Sequence, residues 1–196
     1  MVVYTVGLLG FSTSLRDWMI ALTPANLLFS LVLLLLNHRE WSKGFIAFVG
    51  ISMVASFLVE VLGVATGIPF GNYWYGATLG PQLWEVPLLI GVNWFILVYA
   101  TGAWADRLPL SRPLKAAVGA TLMVALDVIM EPVAMQLDFW SWQDGHIPLQ
   151  NYVGWMLLAF LLHLYFQRLP KNEDTRFAQL VFVMQLVFFA VLRLAL

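Results

Sequence analysis

Long apolar runs recur along this chain, each close to the roughly 20 residues that a helix needs to cross a lipid bilayer. Residues 44–66, for example, carry a single ionisable side chain, Glu60, in an otherwise apolar stretch. In hydrocarbon such a segment has to satisfy its backbone hydrogen bonds internally, which makes it a helix. The runs predict spans at residues 18–36, 44–66, 83–104, 114–130, 150–166 and 176–194. Residues 1–15 are apolar but short and contain glycine, so they read as a partial or interfacial helix, or as a seventh span if they complete one. No Lys or Arg precedes them as the basic start of a signal peptide would require. The expectation is an all-α fold, a polytopic transmembrane bundle of about six spans forming one integral membrane domain over residues 1–196, with no soluble domain left over.

Composition narrows the class. Apolar residues make up 61% of the chain and charged residues 11%, against roughly half and a quarter in a soluble domain. A net charge of −1 argues against a nucleic-acid partner held by a basic surface. The absence of cysteine excludes disulfides, thiolate metal sites and a cysteine nucleophile. His38, His146 and His163 are scattered without metal-ligand spacing. Arg39, Lys43, Arg107, Arg112, Lys115, Arg168, Lys171 and Arg176 all fall in alternate connections, with only Arg16 and Arg193 opposite. The positive-inside rule then turns the basic side to the cytoplasm. Both termini and two aromatic, Gly/Pro-containing loops, residues 67–82 and 132–149, face the other side.

Four carboxylates lie in or at the mouth of spans on that outer side: Glu60, Glu85, Asp127 and Glu131. Asp127 and Glu131 are four residues apart, one helical turn, and therefore share a face. Pro132 follows at once, where it tends to end or kink the helix. Ionisable groups inside a span are costly and mark a bundle interior or cavity with a function. The bland alternative is that each carboxylate caps a helix, reaches the headgroups, or pairs with Asn93 or a Tyr or Trp donor. With no Lys or Arg at this depth to neutralise them, four together are harder to dismiss in that way than any one alone. An acid in apolar surroundings beside a like charge keeps its proton available for chemistry.

Aromatic residues gather near the same side: Tyr73, Trp74, Tyr75, Trp84, Trp94, Trp140, Trp142, Tyr152 and Trp155. Most suit an interfacial belt, and those near the acids also suit a slot for a polyene or a cation. Three membrane classes fail against the residues. A retinal protein needs a mid-membrane lysine, yet Lys43, Lys115 and Lys171 sit at span ends. An intramembrane prenyltransferase needs two acidic motifs with basic groups beside them, and one pair is present, with the basic residues on the opposite face. A transporter's broken spans in two related halves are not found. His163 reads as a hydrogen-bonded core histidine.

The segments TGIPFGNYWYGATLGPQLWEVPLLIGVNWFILVYATG (residues 66–102) and LDVIMEPVAMQLDFWSW with IPLQNYVGW (within residues 126–155) resemble the membrane-integral carotenoid biosynthesis family. Its members include carotenoid 1,2-hydratases and the bisanhydrobacterioruberin hydratase type. The order of the FG-x-Y-x-Y, LG-x-x-L-x-x-VP and D-x-x-x-(D/E)-P elements carries the likeness. The resemblance points to Glu60, Phe70, Gly71, Tyr73, Tyr75, Pro87, Trp94, Asp127, Glu131, Pro132, Trp140, Trp142, Asn151 and Trp155. Glu85 departs from it, standing where many relatives carry glycine, and Glu131 stands where many carry aspartate.

What the resemblance implies is addition of water to the terminal C1,2 double bond of an acyclic or monocyclic carotenoid. Protonation yields a tertiary cation and water captures it, which asks for an acid, a base and an apolar slot. Asp127 and Glu131 are the expected acid and base, with Glu60 as third member, and Tyr73, Tyr75, Glu85, Trp94, Trp140, Asn151 and Trp155 as substrate contacts. No metal and no organic cofactor is expected. The expected partners are the carotenoid, the bilayer of the inner (cytoplasmic) membrane and other enzymes of the same pathway. Two rival readings use the same residues: a cyclase, in which another double bond captures the cation, and a non-catalytic carotenoid- or lipid-binding membrane protein.

Overall fold

A computed structural model describes residues 2–11, 13–170 and 174–195; Lys171, one of the basic residues that set the expected orientation, lies outside them. Among the described residues, eight α-helices run in the order α1 (Val2–Phe11), α2 (Arg16–Ala21), α3 (Thr23–Leu36), α4 (Lys43–Thr66), α5 (Leu89–Ala105), α6 (Arg112–Gln136), α7 (Leu149–Phe166) and α8 (Arg176–Ala195). Four of them, α4, α6, α7 and α8, are long and apolar enough to cross a membrane, and α3 and α5 are shorter apolar helices. The expected all-helical transmembrane bundle is therefore what forms, built from six apolar helices. At 10 residues, α1 is too short to cross alone and packs on α2 and α8.

Helix α5 is the axle of the bundle. Every residue from Trp94 to Ala103 is buried, and α5 packs against α3, α4, α6, α7 and α8. A helix apolar all round belongs in such a place. Helix α4 shows the complementary design. Phe45, Phe48, Ser52, Ser56, Glu60 and Gly63 recur every three or four residues and are buried, while Ile46, Ile51, Val54, Leu58 and Leu62 are exposed and form its lipid face. The two buried serines return their hydroxyls to the Phe48 and Ser52 carbonyls, so the inward face stays satisfied. Ser52 and Ser56 are also small enough for close helix packing. The helix is capped by the Ser42 side chain, which accepts from Phe45 N, and ends at Gly67 with φ 75°, a left-handed position that glycine takes freely.

Three expected boundaries shift for identifiable reasons. The span at residues 18–36 is divided at Leu22 into α2 and α3, with Pro24 in the first turn of α3, where its missing N–H costs nothing. The start of the span at residues 83–104 is instead a tight hairpin, β2 (Gln82–Leu83) paired with β3 (Val86–Pro87). Its turn residues Trp84 and Glu85 have φ of 52° and 64°, as a two-residue hairpin turn requires, so α5 starts only at Leu89. Pro132 does not end its helix: α6 continues to Gln136. The carbonyl that Pro132 leaves without a helical donor, that of Val128, accepts from Arg193 Nη1 of α8 at 2.9 Å.

The two aromatic loops also contain regular structure that periodicity did not reveal. β1 (Tyr73–Tyr75) and β4 (Trp140–Trp142) pair antiparallel in the register Tyr73↔Trp142, Trp74↔Ser141 and Tyr75↔Trp140. This ribbon lies over the outer ends of α4 and α6 and joins the two loops.

Candidate functional site

The ribbon determines where the aromatic donors point. Side chains alternate across a strand, so Tyr73 and Tyr75 share one face with Trp140 and Trp142, whereas Trp74 projects the other way and is exposed. Close approach of the strands is secured at Gly76, whose N–H donates to the Phe139 carbonyl at 3.0 Å and where any side chain would collide with Asp138. At the other end Gln143 N donates to the Asn72 carbonyl at 3.0 Å.

Four donors on that inner face meet two carboxylates. Glu60 Oε2 accepts from the Tyr73 and Tyr75 hydroxyls at 2.5 and 2.8 Å, and Glu60 Oε1 accepts from Trp94 Nε1 of α5 at 2.9 Å. Glu131 Oε2 accepts from Trp140 Nε1 and Trp142 Nε1 at 2.8 and 2.7 Å, and its Oε1 accepts from Asn151 Nδ2 of α7 at 3.1 Å. The same Asn151 amide donates to Asp127 Oδ2 at 3.0 Å, which ties the helical i, i+4 pair together. Asp127 Oδ1 is buried without a hydrogen-bond partner. All three carboxylates are at least 97% buried, with Glu60 at 3%, Asp127 at 0% and Glu131 at 1% exposure. Burial, reinforced by the neighbouring Glu60 carboxylate, pushes the Tyr73 and Tyr75 hydroxyls well above the ordinary phenol range, so both remain O–H donors.

The structure thus brings Glu60, Asp127, Glu131, Tyr73, Tyr75, Trp94, Trp140 and Asn151 into one connected network. Trp155 joins it through its ring, which lies against Trp94 with centroids 4.4 Å apart. Glu85 is not brought in: it sits exposed on the β2–β3 turn, because the hairpin replaces the helical turn on which it was expected to face the site. Trp142 proves to be as direct a donor as Trp140, and only the resemblance, not its spacing, had pointed to it. His163 is a core residue, with Nδ1 on the Ala159 carbonyl at 2.7 Å and Nε2 on Thr101 Oγ1 at 2.8 Å.

Two neighbouring cavities adjoin the network. A small one of about 20 Å³ is lined by Glu60, Glu131, Tyr73, Tyr75, Trp94, Trp140, Trp142, Asn151 and Trp155, among others. A larger one of about 290 Å³ lies between α1, α3, α5, α6 and α8 and is mainly apolar; Ile90, Asn93 and Trp140 line both. Phe139, Met130 and Phe188 line the larger cavity, and no sequence signal distinguished them from ordinary core residues. Among the described residues no group of three or more His, Cys, Asp and Glu side chains is arranged to hold a metal ion. The carboxylates are engaged by N–H and O–H donors instead.

A donor network of this kind places acids at an apolar cavity under aromatic rings. It can present a proton to a hydrocarbon and hold charge against a developing cation. Bisanhydrobacterioruberin hydratase from Haloarcula japonica is 33% identical over 130 residues, covering 60% of this chain and 44% of the relative. The chain therefore spans less than half of that relative's length. No solved structure matches the chain. The carotenoid biosynthesis protein family matches residues 19–196, which takes in every helix from α3 onward and the whole carboxylate network, and the chain belongs to that family.

Proposed function

We propose that this protein is a carotenoid-modifying membrane enzyme that hydrates a terminal C1,2 double bond. The observation that carries the reading is the pair of buried carboxylates, Glu60 of α4 and Glu131 of α6, on the wall of one small aromatic cavity beside a large apolar one. A polyene end threaded from the larger cavity meets the acids at Trp140, whose ring borders both. Glu131 delivers its proton to C2 of the terminal isopropylidene, and the double-bond electrons form the new C–H bond, leaving a tertiary cation at C1. The Trp94, Trp155 and Tyr73 ring faces and the Glu60 charge stabilise that cation. Water bonds to C1 through its oxygen and loses a proton to the carboxylate network, which returns the site to its starting state. Asp127 stands one turn behind Glu131 and shares Asn151 with it, a place from which it supplies the proton that Glu131 spends. No cofactor takes part in this scheme.

The reading assigns the protein to the cytoplasmic membrane with the ribbon outward, in line with the basic residues at the opposite helix ends. The name of the Haloarcula japonica relative supports hydration over cyclisation. The test is pigment analysis by liquid chromatography and mass spectrometry after co-expression with an acyclic or monocyclic carotenoid pathway. A product heavier by one water per modified end, lost in Glu131→Gln and Asp127→Asn, is the expected result. An isomer of unchanged mass makes the enzyme a cyclase. Binding of pigment without conversion by a folded protein reduces it to a carotenoid-binding protein.

A further inference from the structure

The two cavities beside the carboxylates share three lining residues, Ile90 and Asn93 of α5 and Trp140 of β4. Ile90 has no polar side-chain atom, and the indole N–H of Trp140 already donates to Glu131 Oε2 at 2.8 Å. Asn93 is therefore the polar side chain of the junction. It is half-buried, and its amide is not bonded to any other described residue. The Glu60 and Glu131 oxygens take their donors from Tyr73, Tyr75, Trp94, Trp140, Trp142 and Asn151, none from Asn93. Volume decides what this amide can hold. The smaller cavity, about 20 Å³, has room for about one water and none for the branched end of an isoprenoid chain, which has to stop in the larger one of about 290 Å³. A water in the smaller cavity has the polar partners it needs, Asn93 together with Glu60 and Glu131 on the same wall. The larger cavity also carries two buried acceptors without partners, Asn26 Oδ1 and Gln185 Oε1, and waters that donate to them form a reserve behind the junction.

We propose that Asn93 positions the single water that captures the cation, and so determines that the reaction ends in an alcohol. The proposal rests on the hydratase reading and adds to it the residue that selects water over the other fates of the cation. One water O–H donates to the Asn93 carbonyl, the other faces the carboxylate that Glu131 becomes on giving its proton to C2, and an oxygen lone pair is left for C1. The new C–O bond forms from that lone pair. The O–H bond facing Glu131 then breaks, its electrons stay on oxygen, and the proton restores the acid. Without a held water the same cation decays by losing a proton from C2, which returns the substrate, or from a methyl on C1, which leaves a terminal methylene of unchanged mass. Protonation is common to all three outcomes, and Asn93 acts only on the step after it.

The experiment incubates membranes containing the full chain with an acyclic carotenoid in D2O and follows two products by mass spectrometry: the hydrated carotenoid, and unhydrated carotenoid that has gained deuterium at C2. Asn93→Leu, close in shape and without the amide, is expected to raise the ratio of deuterated unhydrated carotenoid to hydrate about tenfold, the worth of one neutral hydrogen bond, with the sum of the two products kept. Asn93→Ser, which retains a small hydroxyl to hold the water, should recover part of the hydrate. Thermal unfolding in detergent normalises each yield to folded protein. An unchanged ratio in folded Asn93→Leu overturns the proposal, and so does an equal fall of both products there, which is what a merely structural role gives. The hydratase reading fails separately and visibly: wild type then forms no hydrate at all, and the assignment of Asn93 falls with it before any variant is compared.

Discussion

Replacing Glu131 by Gln keeps the side-chain shape and removes the transferable proton and one acceptor, and the geometry sets what that costs. Glu131 accepts on both oxygens, from two indole N–H groups at Oε2 and from the Asn151 amide at Oε1. Glutamine has one acceptor oxygen. If that oxygen faces the indoles, its NH2 opposes the Asn151 NH2; reversed, it opposes two indole N–H groups. Turning over the Asn151 amide relieves the first clash but takes the N–H away from Asp127 Oδ2. Each arrangement strands at least one buried polar group, a loss of about 1–3 kcal/mol. Turnover should fall by about 10²–10⁴, the usual contribution of a positioned acid or base. Asp127→Asn is the contrast, because Asp127 Oδ1 has no partner to lose. Its stability should stay within about 0.5 kcal/mol of wild type, while turnover falls as far. Thermal unfolding in detergent and product yield per folded protein measure the two effects. Wild-type turnover in Glu131→Gln, or a ranking of stabilities with Asp127→Asn the more damaged, would refute this account.

Gly63→Ala should act on the site from behind, since a Cβ there would lie 2.8 Å from Tyr73 Oη and 2.9 Å from Phe70 Cδ2. Tyr73 is then pushed off Glu60, and turnover should drop about tenfold, matched by Tyr73→Phe; unchanged product yield in both variants would show that this bond is idle. Arg193→Met leaves the Val128 carbonyl uncovered and should cost about 1 kcal/mol, but nothing once Pro132→Ala supplies a helical N–H, so a double-mutant cycle by thermal unfolding reads the coupling directly. His38 is buried, with Nδ1 on the Tyr99 hydroxyl at 2.7 Å, and burial pushes its pKa below 6.5. The unfolded chain therefore binds the proton first as pH falls through 6.5, and stability should decline below that point and be flat above it. His38→Gln should remove that part of the slope; identical pH profiles for the two proteins would count against it.

The helices were readable because their signal is local. Apolar length marks a span, and spacing by four puts Asp127 and Glu131 on one face whatever surrounds them. The ribbon was not readable, because each strand is three residues long and its partner lies more than sixty positions away; alternation over so short a stretch carries no register. Glu85 was misplaced for a related reason: a helical continuation and a two-residue turn are both open to LWEV, and only the packing of Val86 and Pro87 against the bundle decides. Pro132 was expected to break its helix on local grounds that are sound, and the compensation comes from Arg193, sixty-one residues later. Glu60 was found through the family resemblance together with its depth in α4, since nothing in its own neighbourhood foretells three donors converging from β1 and α5.

The shared ribbon links the fates of the two acids. Tyr73 and Tyr75 serve Glu60, Trp140 and Trp142 serve Glu131, and the four sit on paired strands, so one loop cannot lift away while the other keeps its carboxylate dressed. Opening the outer face would strip the donors from both acids in a single event. On the proposed reading a long hydrophobic guest gains nothing by that door, and the larger cavity, lined in part by the exposed Val6 and Leu22, offers it another way in with the roof still closed.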